Sequence, residues 1–432
     1  KRFFYFFMKY ILSILVTLSF FIFLFFIGCN NQDENVNQND YLFEKPQAII
    51  AKMTRGINIG NTLEPPHVGD WNNKFIEEYF FDDYVEAGFN TVRVPIRWEK
   101  HTLEVPPYTV SETWLDTIEK VIDWGLERDL FIIINAHHDW WLVNNYNSLE
   151  VRNRFHNIWN QIAFRFKDKP PHLLFEIINE PHGMTKENVD ELNKDILKII
   201  REENPQRIVI YGGHSWSNSD HLLSARIPND EYIVGYFHSY DPWDFAGKGN
   251  GVWGSDYDIE RIKSKFNQVS QWSRKNNIPV MLSEFGAIHD CDYNSRMLHY
   301  FTYVKEALRN EIAFQAWDDG GKFKIYDRES RLWPEVKDIL IHTYIDGPEK
   351  LKAHYINDTQ AYLTWINNND QCSKIIIEKK RNLLLFENIA ELDSNINEYI
   401  DNSPGVVNAT YRVISVCENS IRKYSNPFKV QR

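Results

Sequence analysis

Eight short apolar, β-branched runs recur between Thr54 and Asp318, most of them followed by a longer stretch of helical periodicity. They read TRGINIG, TVRVPI, LFIIINA, HLLFEII, RIVIYGG, IVGYFHSY, PVMLSEFG and IAFQAWD, beginning at residues 54, 91, 130, 172, 207, 233, 279 and 312. Intervening segments such as SETWLDTIEKVIDWGLERD and NVDELNKDILKIIREEN carry apolar residues at helical spacing, and the first opens on Ser111, a suitable N-cap. Strand alternating with helix eight times predicts an α/β fold, a (β/α)8 TIM barrel, over residues 44–345. A doubly wound sheet is the alternative, but it rarely has eight regular units.

The pattern changes after Asp346-Gly347-Pro348. AYLTWI, KIIIEKK, NLLLFENI, TYRVISVC and NPFKV are short strands with no helix between them, which predicts a small all-β sandwich over 346–432. Its last strands resemble those of a fibronectin type III domain. A spacer is the favoured role, ahead of a packing partner or a carbohydrate binder.

The N-terminus reads as targeting rather than fold. Met8 and Lys9 are followed by an apolar run from Tyr10 to Ile27 and then Gly28-Cys29. A true start at Met8 gives residues 1–28 the character of a lipoprotein signal peptide, with Cys29 as the lipidated residue. Residues 29–43 are then a polar tether. The implied location is exported, at the cell envelope or surface, with the membrane met only through the lipid; a secreted protein or one anchored by the N-terminal apolar segment is the alternative. Cys372 and Cys417 lie in the C-terminal region, where an oxidising compartment permits a disulfide, while two free thiols remain open.

Composition narrows the ligand. A formal charge of −12 argues against nucleic acid as partner, whereas a neutral polymer is not repelled. Aromatic residues make up 15% of the 432-residue chain, and 14 Trp suit the flat apolar faces of sugar rings. A monomer is expected.

In a barrel of this kind the chemistry lies at the C-terminal ends of the strands. There the chain places Asn61 and Glu64, then Arg93, then His137 and His138, then Asn179 and Glu180. Strand five contributes His214 and Trp216, strand six His238, Tyr240 and Trp243, strand seven Glu284, and strand eight Trp317-Asp318-Asp319. Glu180 and Glu284 facing each other across the mouth are what glycoside hydrolysis requires, one as proton donor and one as nucleophile or base. Arg93 is expected to keep Glu284 ionised, and the less compensated Glu180 to stay protonated. Glu176 shares a strand face with Glu180, either supporting it or filling a lower polar layer. His137 and His138 point to opposite faces of their strand and so suit a shared metal poorly; neither a metal nor an organic cofactor is expected.

RGINIGNTLE, GFNTVRVPIRW, IIINAHHD, FEIINEPHG, YFHSYDPWDF and MLSEFGA together resemble glycoside hydrolase family 5, over about residues 44 to 345. Its bacterial endo-β-1,4-glucanases are the nearest likeness. The resemblance implies Glu180 as acid/base, Glu284 as nucleophile and Asn179 on the sugar 2-hydroxyl. It implies Arg93 and Tyr240 orienting Glu284, and His137 and His238 lining the cleft. Trp317 would floor the subsite before the cleaved bond, and Asn61, Glu64 and His138 would bind more distant hydroxyls. GGHSWSNSD matches less closely, so Trp216 is a substrate contact without a defined role. Asp318-Asp319 departs from the commoner Glu. The implied activity is retaining hydrolysis of internal β-1,4 linkages in a β-linked polysaccharide. An endo-β-1,4-mannanase or mixed glucan/glucomannan hydrolase is the alternative, and an inactive surface glycan-binding protein a remote one.

Overall fold

The computed structural model describes residues 41–72, 75–368, 371–381, 385–405 and 408–430. The expected signal peptide, Cys29 and the tether up to residue 40 lie outside the described residues. Leu42 to Arg432 form one compact unit.

Eight parallel strands close into a barrel: β1 Gly56–Asn58, β2 Thr91–Val94, β3 Phe131–Asn135, β4 Leu173–Glu176, β5 Val209–Tyr211, β6 Ile233–Ser239, β7 Val280–Phe285 and β8 Ala313–Ala316. Each strand pairs with the next and β8 returns to β1, as the eight apolar runs predict. The helix expected after Ser111 runs Glu112–Leu126, although the Ser111 hydroxyl meets that of Thr113 rather than a helix amide. The next runs Lys186–Glu203 and is capped by the Thr185 side chain.

Strand alternation sorts the core into two layers. Ile133, Leu174, Ile210, Val234, Tyr236 and Met281 face the barrel interior, and Ile49 and Ile50 from the short helix Pro46–Lys52, with Met53 just after it, belong to the same cluster. Val92, Val94, Ile132, Phe175, Phe237, Leu282 and Phe314 face the surrounding helices. Because Met281 points in and Leu282 out, strict alternation would send Glu284 outward. Pairing with β6 instead runs Leu282–Phe237 and then Glu284–His238, skipping Ser283. That bulge turns Glu284 into the mouth of the barrel.

Eight antiparallel strands follow: β9 Glu349–Asn357, β10 Gln360–Ile366, β11 Lys374–Arg381, β12 Glu387–Asp393, β13 Glu398–Asp401, β14 Ala409–Val416, β15 Arg422–Tyr424 and β16 Phe428–Val430. They form one sheet in the order β13-β10-β9 and another in the order β12-β11-β14-β15, with β16 also on β14. Leu351, Leu363, Trp365, Ile375, Ile377, Tyr411 and Val413 fill the space between. Four of the five expected strands are in place; the NLLLFENI strand starts later, at Glu387, and its residues 382–384 lie outside the described set. Cys372 and Cys417 are joined, and Cys291 is a buried free thiol.

This β-domain is docked on the barrel rather than held away from it. Arg412 bridges Asp338 of the last barrel helix, Val336–His342, to Glu378 of β11. The Asn294 amide pairs with the Lys429 backbone in both directions, at 2.9 and 2.7 Å. His342 stacks on Tyr424 at 4.5 Å, and Lys305 pairs with Glu349. The spacer expectation therefore gives way to a packing partner.

Candidate active site

Arg93 organises the floor of the mouth. It is completely buried, and all five of its N–H groups have acceptors. Nη1 donates to Glu284 Oε1 at 2.7 Å and to Asn58 Oδ1 at 2.8 Å. Nη2 donates to Asn179 Oδ1 at 2.7 Å and to Glu176 Oε1 at 2.6 Å, and Nε donates to Glu176 Oε2 at 2.7 Å. One inward side chain on β2 thus fixes groups from β1, β4 and β7.

Tyr240 completes the setting of Glu284 by donating its hydroxyl to Oε2 at 2.9 Å. Glu180 projects from the loop after β4, its side chain 22% exposed, with Oε1 2.7 Å from His238 Nδ1. Oxygens of Glu180 and Glu284 lie within 4.8 Å of each other. Beneath them, the Ser217 hydroxyl donates to the Asn179 carbonyl at 2.8 Å, and the Tyr236 hydroxyl also reaches it. Gly212 admits that tyrosine: a Cβ there would stand 2.5 Å from its ring.

The electrostatics separate the two carboxyls. Burial pushes Glu180 up to about 7, opposed mainly by Arg93. Burial also raises Glu284, but Arg93 and Tyr240 both donate to its oxygens and favour the charged form. These donors make Glu284 the better carboxylate of the pair and Glu180 the better site for a shared proton. Burial holds His238 down at about 4 and His137 well below its usual value, so both imidazoles are neutral near pH 7. Asn135 Nδ2 donates toward His137 Nδ1 at 3.2 Å, which leaves the His137 proton on Nε2.

Glu180, His238 and Glu284 are also the one group among the described residues spaced to ligate a cation. Both Glu284 oxygens already accept from Arg93 and Tyr240, donors that a cation would have to displace, so the donor set fits a metal poorly.

Trp317 follows β8 at the rim, its ring parallel to that of His137 with centroids 6.0 Å apart. Gly60 makes room for it, since a Cβ would sit 2.7 Å from the indole. His138 packs between Trp71 and Trp140. Trp216, 53% exposed, stacks on His182 at 4.0 Å, and His182 in turn meets Trp140 edge-on at 4.5 Å. Asn61, His138 and Trp216 all hold left-handed backbone conformations, the kind of strain that clusters at binding loops.

Glu64 departs from its expected contact with a sugar hydroxyl. It is wholly buried, and its oxygens accept from the backbone amides of Asn61 and Thr62, so it shapes the loop that presents Asn61. Asp318 and Asp319 likewise bind backbone amides of the loop from Gly320 to Tyr326. The rim positions alone did not reveal Asn58, Asn135 or Tyr236. Their signal is an inward polar atom on an otherwise apolar strand, at the same period of two that marks Arg93. Trp140 and His182 sit in loops, where periodicity gives no signal.

A closed (β/α)8 barrel with two carboxylates at this spacing, only one of them held by an arginine and a tyrosine, is the layout of a retaining glycoside hydrolase. The profile of the cellulase family, glycosyl hydrolase family 5, matches residues 51–321. The chain belongs to that family. It is 44% identical over 294 residues to endoglucanase H of Acetivibrio thermocellus, covering 66% of this chain and 32% of that protein. The chain thus spans about a third of the length of this curated relative. The crystal structure of Thermotoga maritima Cel5A with a mannotriose substrate is 34% identical, with TM-score 0.66, covering 68% of this chain and 99% of that one. A tri-modular subfamily 4 endo-β-1,4-glucanase from Bacillus licheniformis, complexed with cellotetraose, is 28% identical with TM-score 0.77. That similarity covers 90% of this chain and 79% of that one, so it extends beyond the barrel.

Proposed function

We propose that the protein is a retaining endo-β-1,4-glucanase. The observation that carries this reading is the Glu180–Glu284 pair, with oxygens within 4.8 Å and Arg93 and Tyr240 bonded to only one of the two. Glu284 attacks the anomeric carbon while Glu180 gives its proton to the departing glycosidic oxygen, forming a glycosyl ester on Glu284. Water then attacks that ester and gives a proton to Glu180, so both groups return to their starting states. Asn179, held by Arg93, accepts or donates at the 2-hydroxyl. Trp317 floors the subsite before the bond, with His137, His138 and Asn61 beside it. Trp216 lies on the Glu180 side, where the leaving sugar must be.

The named relatives support a β-1,4-glucan as substrate. A mixed glucan/mannan specificity is the second reading, favoured by the mannotriose complex of the Thermotoga maritima relative. Glucose and mannose differ in the orientation of the 2-hydroxyl, which Asn179 faces. We further propose catalytic and accessory domains spanning 44–345 and 346–432, the latter of fibronectin type III type. Its two sheets, in the orders β13-β10-β9 and β12-β11-β14-β15, support that assignment. We also propose that the protein is a monomeric lipoprotein anchored through Cys29; its export is supported by the Cys372–Cys417 disulfide, which suits an oxidising compartment.

Reducing-sugar release on carboxymethylcellulose, mixed-linkage β-glucan, glucomannan, mannan and xylan tests the function. Activity on the glucans that is lost in Glu180→Gln and Glu284→Gln is expected. A folded wild-type protein inactive on every polymer would refute the reading.

A further inference from the structure

Glu176 is a carboxylate with no access to substrate or solvent, yet it is built into the site more tightly than either proposed catalytic group. It is completely buried on β4, facing inward. Two of the five Arg93 N–H groups go to it, at 2.6 and 2.7 Å, and Asn135 Nδ2 adds a third donor at 3.0 Å. A carboxylate in so dry a place is costly and survives only with such complete pairing. A neutral residue of similar volume would fill the space without that cost.

The charges around the carboxyl pair explain what an ionised group does there. Arg93 faces the pair from β2, His137 from β3, Glu176 from β4 and His182 from the loop behind it. His238 faces it from β6, Tyr240 from the residue just after that strand, and Glu284 stands on β7. His137 and His238 are neutral because burial disfavours their charged forms, and burial pushes Tyr240 well above its usual range. Arg93 and Glu176 are then opposite full charges locked together beside Glu180 and Glu284. Without Glu176, the whole guanidinium charge would act on the two glutamates, favouring ionisation of both. Glu180 would lose the proton it needs, and Glu284 would become a weaker base and nucleophile.

We infer that Glu176 is a positioning residue that fixes Arg93 in its bidentate grip and offsets its charge, so that Glu284 is oriented without Glu180 being discharged. This rests on the two-carboxylate reading of the site. It extends that reading to a residue that never touches substrate. Glu176 also adds directly to the field that raises Glu180.

The test is the pH profile of kcat/KM for Glu176→Gln on an aryl β-cellobioside, run beside wild type. A neutral Gln frees the Arg93 charge, so both limbs should move to lower pH, by about one unit. The value of kcat should fall on the order of 10-fold or more on substrates with poor leaving groups. A residue that merely holds Arg93 in place predicts the opposite shift. Displacing Arg93 removes the positive charge that favours ionisation of both Glu284 and Glu180, so both limbs would move to higher pH. A profile that moves to higher pH, narrows or stays unmoved overturns the inference. Glu176→Asp keeps the charge and shortens the arm; it should keep both limbs within about half a unit of wild type while losing kcat. If the Gln variant fails to fold, an Asp variant with both limbs moved to lower pH overturns the inference, and unmoved limbs support it. Inactive wild type on all β-glycosides would instead refute the underlying functional reading, a distinguishable result.

Discussion

His238 Nδ1 lies 2.7 Å from Oε1 of Glu180 and 3.5 Å from Oε2 of Glu284, so a single imidazole spans both carboxylates. Burial holds this ring neutral, and the two carboxylate oxygens facing Nδ1 favour the tautomer that carries its proton there. Donating to Oε1 leaves Oε2 of Glu180 free to carry the proton toward the scissile oxygen. Replacing His238 by Ala removes a donor aimed at the reacting pair without touching the outer subsites. We expect kcat to fall by about 10²-fold, with KM changed less than about threefold, in steady-state assays on a soluble glucan.

The pH dependence follows from the same pair. In the proposed mechanism Glu180 works in its protonated form, and its carboxyl is raised to about 7 by burial. Raising the pH through that value discharges the acid, so kcat/KM should fall on the alkaline side with an apparent pKa of about 7. The acid side is set by protonation of Glu284. In Glu180→Gln the alkaline limb should vanish. Polymer hydrolysis should drop by about 10³-fold or more, while a dinitrophenyl cellobioside, whose leaving group needs no proton, retains much more of its rate.

Trp216 and Trp140 present exposed indoles next to Glu180, linked through His182. Stacking of a pyranose on such a face is worth about 1 kcal/mol. Trp216→Ala should raise KM for oligosaccharides about fivefold. It should leave hydrolysis of an aryl cellobioside nearly unchanged, because that substrate places no sugar on the leaving side.

Arg412 ties the β-domain to the barrel through Asp338 and Glu378, and its side chain is 11% exposed. Its removal breaks the link between the domains and leaves the partly buried Asp338 to Lys337 and Glu378 to Arg422. Arg412→Ala should destabilise the protein by about 2 kcal/mol in denaturant titration, with kcat on soluble glucan unchanged at low temperature. Two separate unfolding transitions in wild type would contradict a β-domain that is docked.

The barrel was legible because every strand is either an apolar run or an alternation, and because the polar residues gather at one strand end. Arg93 stood out as a charge inside VRVPI, and Glu180 and Glu284 as carboxylates ending apolar runs. Other features were hidden for identifiable reasons. The Ser283 bulge that aims Glu284 inward leaves no mark in a one-dimensional pattern of period two. Glu64 ends an apolar strand much as Glu180 does, yet local folding hands its oxygens to the Asn61 and Thr62 amides, a distinction that only the loop path makes. The strands Glu349–Asn357 and Glu398–Asp401 are rich in charged and exposed residues and so lack the apolar signal. Docking of the β-domain depends on pairs far apart in sequence, such as Asn294 with Lys429.

In the proposed mechanism Glu284 becomes covalently glycosylated while Glu180 supplies the proton. Mass spectrometry of the protein after treatment with a 2-deoxy-2-fluoro cellobioside bearing a good leaving group addresses it directly. One added glycosyl unit, located on the peptide containing Glu284 and absent from Glu284→Gln, is the predicted result. An adduct on Glu180, or turnover with inverted anomeric configuration and no adduct, would contradict the account.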